Sequence, residues 1–535
     1  MNTKKYILLL SALAAFLMFS CDDYLDVEPD NRVMIDTPEK VRQLLINSYP
    51  NANYALIAEL SADNFIDNNA PNSKGFYYNM ISYDRMDDNL FAWEDVRSAS
   101  DADSPYMLWQ QYYQSIACAN AALQAINEIV QDGVSDDDLN KILLPSKGEA
   151  LMIRAYSHFM LVNIFSKTYK DAEKSKSDMG VLYVTEPVDV VHIESRRNSV
   201  AEVYDFIAKD IEDGIGLIRN DVYKVPKYHF NLNAAHAFAA QFYLFKRDYD
   251  KVILHANYVL GADPSKSLRD WVTIYNNAEQ QTYAYMNTDE AANLLILPTY
   301  SIFFRRFMNF RYGYNGDAER GSLMDNGPTW TGRAPFTTGW MWTYSQNYGS
   351  FIAKMMEQFE YTDRVAGIGY PHIVRTEYTV DATLLDRAEA YIFKNEMDKA
   401  LADLQAWNAS HRGTRVLTNS LITSFYTPNK AFLSYEFNTE KLSPGFTVTP
   451  SQKPYIDCVL HFRRLERFSE GHRWFDIKRY GIELQHNVGH ENKIITLTYD
   501  DDRRAIQIPS DVVGAGVEPN PRLTNISNAQ MYKID

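Results

Sequence analysis

Between Glu466 and Gly481 the chain packs six charges of alternating sign, Glu466, Arg467, Glu470, Arg473, Asp476 and Arg479, around Trp474 and Phe475. Two carboxylates so close could share acid and base roles in catalysis. Their oppositely charged neighbours at three- and four-residue spacing, Arg473–Asp476 among them, suit an ion-pair network better. Trp474 and Phe475 suit core anchors, so the segment is read as structural. His486 and His490 stand four apart, but Asn487-Val488-Gly489 between them reads as a loop and no third metal ligand is evident. The acidic runs Asp136-Asp137-Asp138 and Asp500-Asp501-Asp502 are read as solvated loops rather than calcium sites. No phosphate-cradling glycine loop, nucleophile elbow or zinc-protease helix occurs, so no catalytic residue, cofactor or metal is expected.

The remaining chemistry is aromatic: the chain holds 37 Tyr, 27 Phe and 8 Trp. Trp109 and Trp407 fall on helix faces, Trp474 lies in the charged segment, and Trp271 follows a helical hairpin; all four are expected in the core. Trp93, Trp330, Trp340 and Trp342 instead sit among Asn, Gly and Thr in loop-like stretches. An indole there could stack on the apolar C–H face of a sugar ring, with Asn, Asp or Arg bridging the hydroxyls.

These residues need a scaffold, and the composition supplies one. Apolar residues make up 46% of the 535-residue chain and charged residues 23%, ordinary values for a large globular protein. A net charge of −16 argues against nucleic acid as a partner, which would require excess Lys and Arg. Three cysteines are too few for a disulfide scaffold or a four-thiolate zinc site. Cys118, on a predicted buried helix face, and Cys458 read as inert thiols.

Helical periodicity dominates. Thr37 and Pro38 open a helix towards Tyr49, and Tyr106 to Val130 keeps three-to-four spacing until Gly133. Leu139 to Tyr169 continues with a bend or restart at Pro145, and Ser199 opens a helix through Ile218. Two segments resemble each other at an offset of about 148 residues, Ala240–Lys251 and Ala388–Lys399. Each is an apolar helix, a polar corner and a second amphipathic helix, similar to a tetratricopeptide unit. Helix pairs at 106–169 and 199–218 would complete about four scattered units. Residues 264–361 lack a sustained period and read as functional loops. Ile494–Leu497 and Ala505–Ile508 read as short strands.

At the N-terminus, Lys4 and Lys5 precede an apolar or small-residue run from Tyr6 to Phe19, the size of a signal-peptide core and too short to span a bilayer. Ser20-Cys21 followed by Asp22 and Asp23 resembles a bacterial lipoprotein signal, with Cys21 lipidated as the mature N-terminus. Cleavage removes Lys4 and Lys5 and no acid, taking the charge from −16 to −18.

The run Glu466-Arg467, Glu470-Gly471, Arg473-Trp474-Phe475-Asp476, Arg479 and Gly481 resembles the signature of the SusD/RagB family, surface glycan- or peptide-binding lipoproteins of Bacteroidetes. Ile508-Pro509, Asn520-Pro521-Arg522-Leu523 and the opening Cys21 to Asp26 fit the same family. The resemblance implies a mostly α fold: a tetratricopeptide-like helical scaffold carrying a loop-rich, mixed α/β binding face. It divides the chain into a signal peptide (1–20), an N-terminal helical region (21–265) and a C-terminal region (266–535) holding a loop-rich insert (266–361) and the last repeat (381–408). It further implies a surface-exposed outer-membrane lipoprotein that captures an oligosaccharide as the lid of a SusC-like TonB-dependent transporter. Peptide capture and a surface glycoside hydrolase are the alternatives. By resemblance the ligand would lie between an early loop at Asp63-Asn64 with Trp93 and a second set of loops within 283–342, with Trp330, Trp340 and Trp342.

Overall fold

The computed structural model describes residues 34–522 apart from 73–74, 83, 97–100, 188–195, 272–273, 275–280, 308–310, 315–322, 325, 332–340, 346–348, 353 and 427–434. Cys21, Trp340 and the leader therefore lie outside the described residues.

The scaffold is helical. Helix α1 (Pro38–Ile46) starts at Thr37, whose hydroxyl accepts from the Lys40 amide, with Pro38 in the first turn where its missing N–H is harmless. Helices α2 (Ala55–Ser61) and α3 (Arg85–Phe91) are short. Helix α4 (Pro105–Asp132) is capped by Ser104 and stopped at Gly133. Helix α5 (Leu144–Phe165) is buried on nearly every face, which suits a sequence apolar all round. Just before it, Leu139–Leu143 forms a wider π-type turn, so Pro145 enters the first turn of α5 without breaking it. Helix α6 (Val200–Ile215) opens on a reciprocal Ser199–Glu202 capping box and ends sooner than Ile218. It crosses α5 closely: a Cβ on Gly148 would sit 2.9 Å from the Gly214 carbonyl oxygen, so only glycine fits there. Arg154 clamps the pair through two 2.7 Å bonds to Asp210.

The repeated segments become two hairpins, α7 (Leu232–Lys246) with α8 (Tyr249–Leu260), and α9 (Val380–Phe393) with α10 (Met397–Ser410). Their corners are built alike. Arg247 and Asn395 both take positive φ, 65° and 59°. The Asp248 amide donates to Tyr243 at 2.9 Å, and the Glu396 amide donates to Tyr391 at 2.8 Å. Both are helix-ending bonds that satisfy otherwise orphaned carbonyls. Helices α8 and α9 then pack together, with Tyr249 stacked on Phe393 at 4.8 Å.

The 264–361 stretch is less irregular than its sequence suggests. Strand β2 (Asn293–Tyr300) pairs with the long β7 (Ile368–Thr379), which also pairs with β6 (Gln358–Asp363), in an antiparallel sheet ordered β2-β7-β6. The apolar run that opens β2 is continuous because most of it is buried, and Pro298 is tolerated because β2 is an edge strand. Smaller antiparallel pairs join β1 (Ile66–Asp67) to β3 (Tyr312–Gly313), β4 (Met341–Ser345) to β5 (Gly349–Ile352), and β8 (Leu484–Val488) to β9 (Lys493–Leu497). Ala505–Ile508 is not a strand; it is extended coil whose Ile506 amide donates to the Ile164 carbonyl at the end of α5. The signature forms α11 (Lys453–Glu466), a buried turn and α12 (His472–Tyr480). No described helix is both long and apolar enough to cross a membrane.

Candidate functional site

The charged signature lies inside the molecule. Every residue from Glu466 to Gly481 is buried. Arg463, from α11, reaches Asp386 at 3.0 Å, Glu389 at 2.7 Å and Asp476 at 3.1 Å, and Arg479 shares both Glu389 and Asp476. Burial pushes Glu389 upward, but Arg479 and Arg463 overcome it and hold the carboxyl at about 2. Arg467 pairs with Glu470 at 3.0 Å and donates to the β7 carbonyls of Thr376 and Glu377. Lys354 neutralises Glu470 at 3.1 Å. Gly471 turns with φ 86° and its amide donates to Glu59; a Cβ there would meet Ala55 Cα at 2.9 Å. Trp474 and Phe475 are core, Phe475 packing against Tyr54 at 5.7 Å.

The network is not drawn as the spacing suggested. Arg473 does not bond Asp476 within its helix. It makes two 2.8 Å bonds to Asp63, while Arg464 donates to the Asp63 carbonyl and to Asn64. Burial raises the Asp63 carboxyl, and Arg464 and Arg473 outweigh it, keeping it far below the ordinary range. Asn64 also donates to Glu59. Asp63 and Asn64, expected from sequence at the ligand, are bonded instead into the signature network.

Trp93 and Trp330 are corrected likewise. Trp93 is 4% exposed, its indole donates to the Ser61 carbonyl at 3.0 Å, and it stacks on His486 at 4.1 Å. Trp330 is 6% exposed, donates to Met324 and packs near Phe462. Polar flanking residues put these segments in loops, but the rings turn inward because the loops cover the core. Trp340 lies outside the described residues. Trp342 is on β4, in register with Phe351. His486 is likewise a packing residue, its ring nitrogens 2.7 and 3.0 Å from the Phe91 and Ala62 carbonyls.

What faces water is a different aromatic set. The loop after β1 exposes Phe76 to 67% and Tyr77 to 53%, and Ile81 stands out beside them. The described residues of the loop are braced by hydrogen bonds. The Asn68 amide donates to the Arg311 carbonyl, the Tyr78 amide to Asn68, and Asn69 exchanges bonds of 2.7 and 2.9 Å with Met80. Asn72 closes its tip on Phe76 through backbone and side chain. Asp67 ties the base together: it accepts from the amides of Asn69 and Gly489, both at 2.9 Å, and pairs with Arg311. His490, at the turn between β8 and β9, lies 3.1 Å from the Tyr78 carbonyl and packs its ring on Tyr77 at 4.4 Å. The result is a shelf of two exposed rings flanked by an imidazole. A second exposed pair, Phe359 and Tyr361, lies on β6, and Tyr283 is exposed within the 283–342 stretch. Sequence reasoning ranked tryptophans and passed over Phe76-Tyr77-Tyr78. The turn residues Pro71-Asn72 and Gly75 just before this run were the available signal.

One buried cluster has the donor types of a metal centre: Asp381, His411 and Glu466 bring ligating atoms within 4.8 Å of one another. His411 Nε2 is 2.7 Å from Glu466, which also accepts from the Trp407 indole. Burial opposes ionisation of Glu466, yet His411, Lys354 and Arg269 hold it at about 2. Asp381 rises to about 7 through burial and the Glu466 charge. The arrangement is a hydrogen-bonded part of the signature network.

Residues 23–244 match the SusD-like family described as "Starch-binding associating with outer membrane", and residues 245–512 match the SusD family. The chain belongs to the SusD family. Its similarity to single members is low but long. It is 20% identical over 499 residues to the SusD-like protein P38 of Formosa agariphila, covering 86% of this chain and 88% of that one. A SusD superfamily protein from Bacteroides thetaiotaomicron superposes with a TM-score of 0.59 at 18% identity, covering 91% of this chain and all of that one. A SusD-like carbohydrate binding protein from Bacteroides vulgatus superposes at 0.53 with 14% identity, over 86% and 89% of the two chains. These SusD structures share the helix-rich, tetratricopeptide-like architecture described above.

Proposed function

We propose that this SusD-family chain is a lipid-anchored protein of the outer-membrane surface that binds an oligosaccharide and delivers it to a SusC-like TonB-dependent transporter, acting as its lid. The observation that carries the reading is the shelf formed by Phe76, Tyr77 and His490. Two rings held open to water by a hydrogen-bonded loop suit the apolar face of a pyranose, and the braced loop loses little freedom on binding. An exposed aromatic patch on an otherwise well-packed protein marks an interaction site. Trp340 and Trp342 remain candidates for the opposite side of the ligand, and Phe359 and Tyr361 join them. No bond-breaking step is assigned to the shelf.

Calorimetry of residues 22–535 against a panel of oligosaccharides and peptides tests this, with overnight chromatography of the same mixtures. The expected result is weak glycan binding, about 10 μM to 1 mM, without turnover. Chain shortening would favour the glycoside hydrolase, and binding to peptides alone would favour peptide capture. For the anchor, Cys21→Ala should leave a folded protein released from membranes, since the attachment is lipid. Variant protein still sedimenting with membranes would refute it.

A further inference from the structure

The loop that carries the shelf is held from outside as well as from within. Strand β8 is seated in the core by His486, whose ring lies between Phe91 at 4.2 Å and Trp93 at 4.1 Å. From that seat the β8–β9 turn runs out to the loop after β1. Gly489, at φ 67°, donates its amide to Asp67 at 2.9 Å, and the next residue, His490, meets both Tyr77 and Tyr78. His490 and Tyr78 are 412 residues apart in sequence, so a distant hairpin reaches the shelf.

Each contact of His490 fixes something different. A carbonyl only accepts, so the 3.1 Å approach of Nε2 to the Tyr78 carbonyl places a proton on Nε2 and sets the plane of the imidazole. The His490 and Tyr77 centroids are 4.4 Å apart, with the planes 35° from parallel. Rings that close with so small a tilt overlap face over face rather than edge on. One face of Tyr77 is therefore covered, and its 53% exposure is left to the opposite face and the edge.

We propose that His490 is the positioning residue of the glycan site: it backs Tyr77, leaves one face for the sugar, and holds that ring in place before the ligand arrives. This rests on the reading of the shelf as the site. A sugar is then stacked from one side at Tyr77, not clasped between the phenol and the imidazole, and His490 acts through Tyr77 alone. Immobilising one freely turning side chain on binding costs about two- to tenfold in affinity. The imidazole removes that cost in advance, and His486 and Gly489 hold the imidazole where it is.

The test compares wild-type residues 22–535 with His490→Ala, His490→Phe and His490→Gln. Urea midpoints should coincide, because the side chain is exposed. With a glycan that wild type binds, His490→Ala should bind about two- to tenfold more weakly. His490→Phe keeps a backing ring and should stay near wild type, while His490→Gln keeps only an N–H donor and should resemble His490→Ala. Carbon-13 NMR of labelled tyrosine reads the same device without ligand. The Tyr77 ring signal, identified by its loss in Tyr77→Ala, should move towards that of a solvent-exposed tyrosine in His490→Ala and His490→Gln but not in His490→Phe. Wild-type affinity in His490→Ala would overturn the inference. Weaker binding with an unmoved Tyr77 signal would also overturn it, since His490 would then touch the ligand itself. A lowered urea midpoint in His490→Ala would make the residue a stabilising one instead. If wild type binds no glycan, the reading of the shelf fails, and the NMR comparison still decides whether His490 positions Tyr77.

Discussion

Between Glu466 and Gly481 every side chain is withdrawn from water, whereas a few residues past β1 the rings of Phe76 and Tyr77 are offered to it. The first region concentrates ionisable groups, and a reader looking for catalysis would stop there. Yet each charge is already answered: Arg463 by three carboxylates, Arg473 by Asp63, Glu470 by Lys354. Such a network joins α2, β7, α9, α11 and α12, and its chemistry is spent on the fold. The loop from Asn68 to Ile81 holds no comparable density of charge; its described residues are braced by hydrogen bonds, while Phe76 and Tyr77 stand open to water. Exposed apolar surface, more than reactive groups, is what marks the proposed site.

The largest effect should come from removing one charge of the buried set. Arg463→Met leaves Asp386, Glu389 and Asp476 facing one another with Arg479 alone to balance them. Breaking a buried ion pair this way costs about 3–5 kcal/mol, so the variant should unfold at much lower urea or fail to fold. An unchanged urea midpoint would break the contrast, because it would mean the signature charges are dispensable to the fold.

Two tryptophans sharpen it. Trp474→Ala should cost about 3–5 kcal/mol, as for other fully buried large rings. Trp93→Ala should cost a similar amount, although it sits in the loop-bearing region, because the ring is buried on His486 and donates to Ser61. Near-wild-type thermal stability of Trp93→Ala would return this residue to the ligand side.

Asp103, just before α4, accepts from the Ile302 amide two residues past β2 at 2.9 Å. Burial raises its carboxyl to about 7, with hydrogen bonds from the Ser301 hydroxyl and the Ile302 amide, and then Arg306, only partly opposing. Between the unfolded value near 3.8 and about 7, the folded state holds the extra proton, so Asp103 withdraws stability as pH rises through that window. Asp103→Asn keeps the acceptor, suits the local φ of 65°, and carries no charge. It should stabilise the protein by on the order of 2 kcal/mol at pH 8 and hardly at all at pH 4. Thermal melts at the two pH values check the sign; equal shifts at both would show that Asp103 is not proton-linked.

The signature was legible because sixteen contiguous residues carry its pattern. Its partners were not: Glu59, Asp63, Lys354 and Glu389 come from distant segments, and spacing within one helix could only suggest Arg473–Asp476. The two hairpins were legible for the same local reason, down to matching corner residues at Arg247 and Asn395. Strand β2 was hidden because a fully buried apolar run has no alternation to reveal it. Trp93 and Trp330 misled because flanking Asn, Gly and Thr report a loop's backbone, not the direction of its ring. Tyr77 was missed because the turn residues Pro71-Asn72 and Gly75 before it mark a loop but not which of its rings faces water.

The smallest effect on stability, and the sharpest on function, is expected at Tyr77. Its ring contacts His490 at 4.4 Å and is otherwise half open to water, so Tyr77→Ala should change unfolding free energy by no more than about 0.5 kcal/mol. The loop should keep its shape, because its bracing runs through Asn68, Asn69, Asn72 and Asp67 rather than through the ring. Loss of one stacking face should weaken glycan binding by about 1–2 kcal/mol, roughly five- to thirty-fold. Asn69→Ala makes the opposite change: both rings stay while the two bonds to Met80 go, so the shelf should loosen and binding weaken through lost preorganisation. Calorimetry of both variants with a glycan that wild type binds separates contact from rigidity. If Tyr77→Ala binds that glycan as tightly as wild type, the site is elsewhere, and the pair Phe359 and Tyr361 on β6 becomes the next surface to truncate.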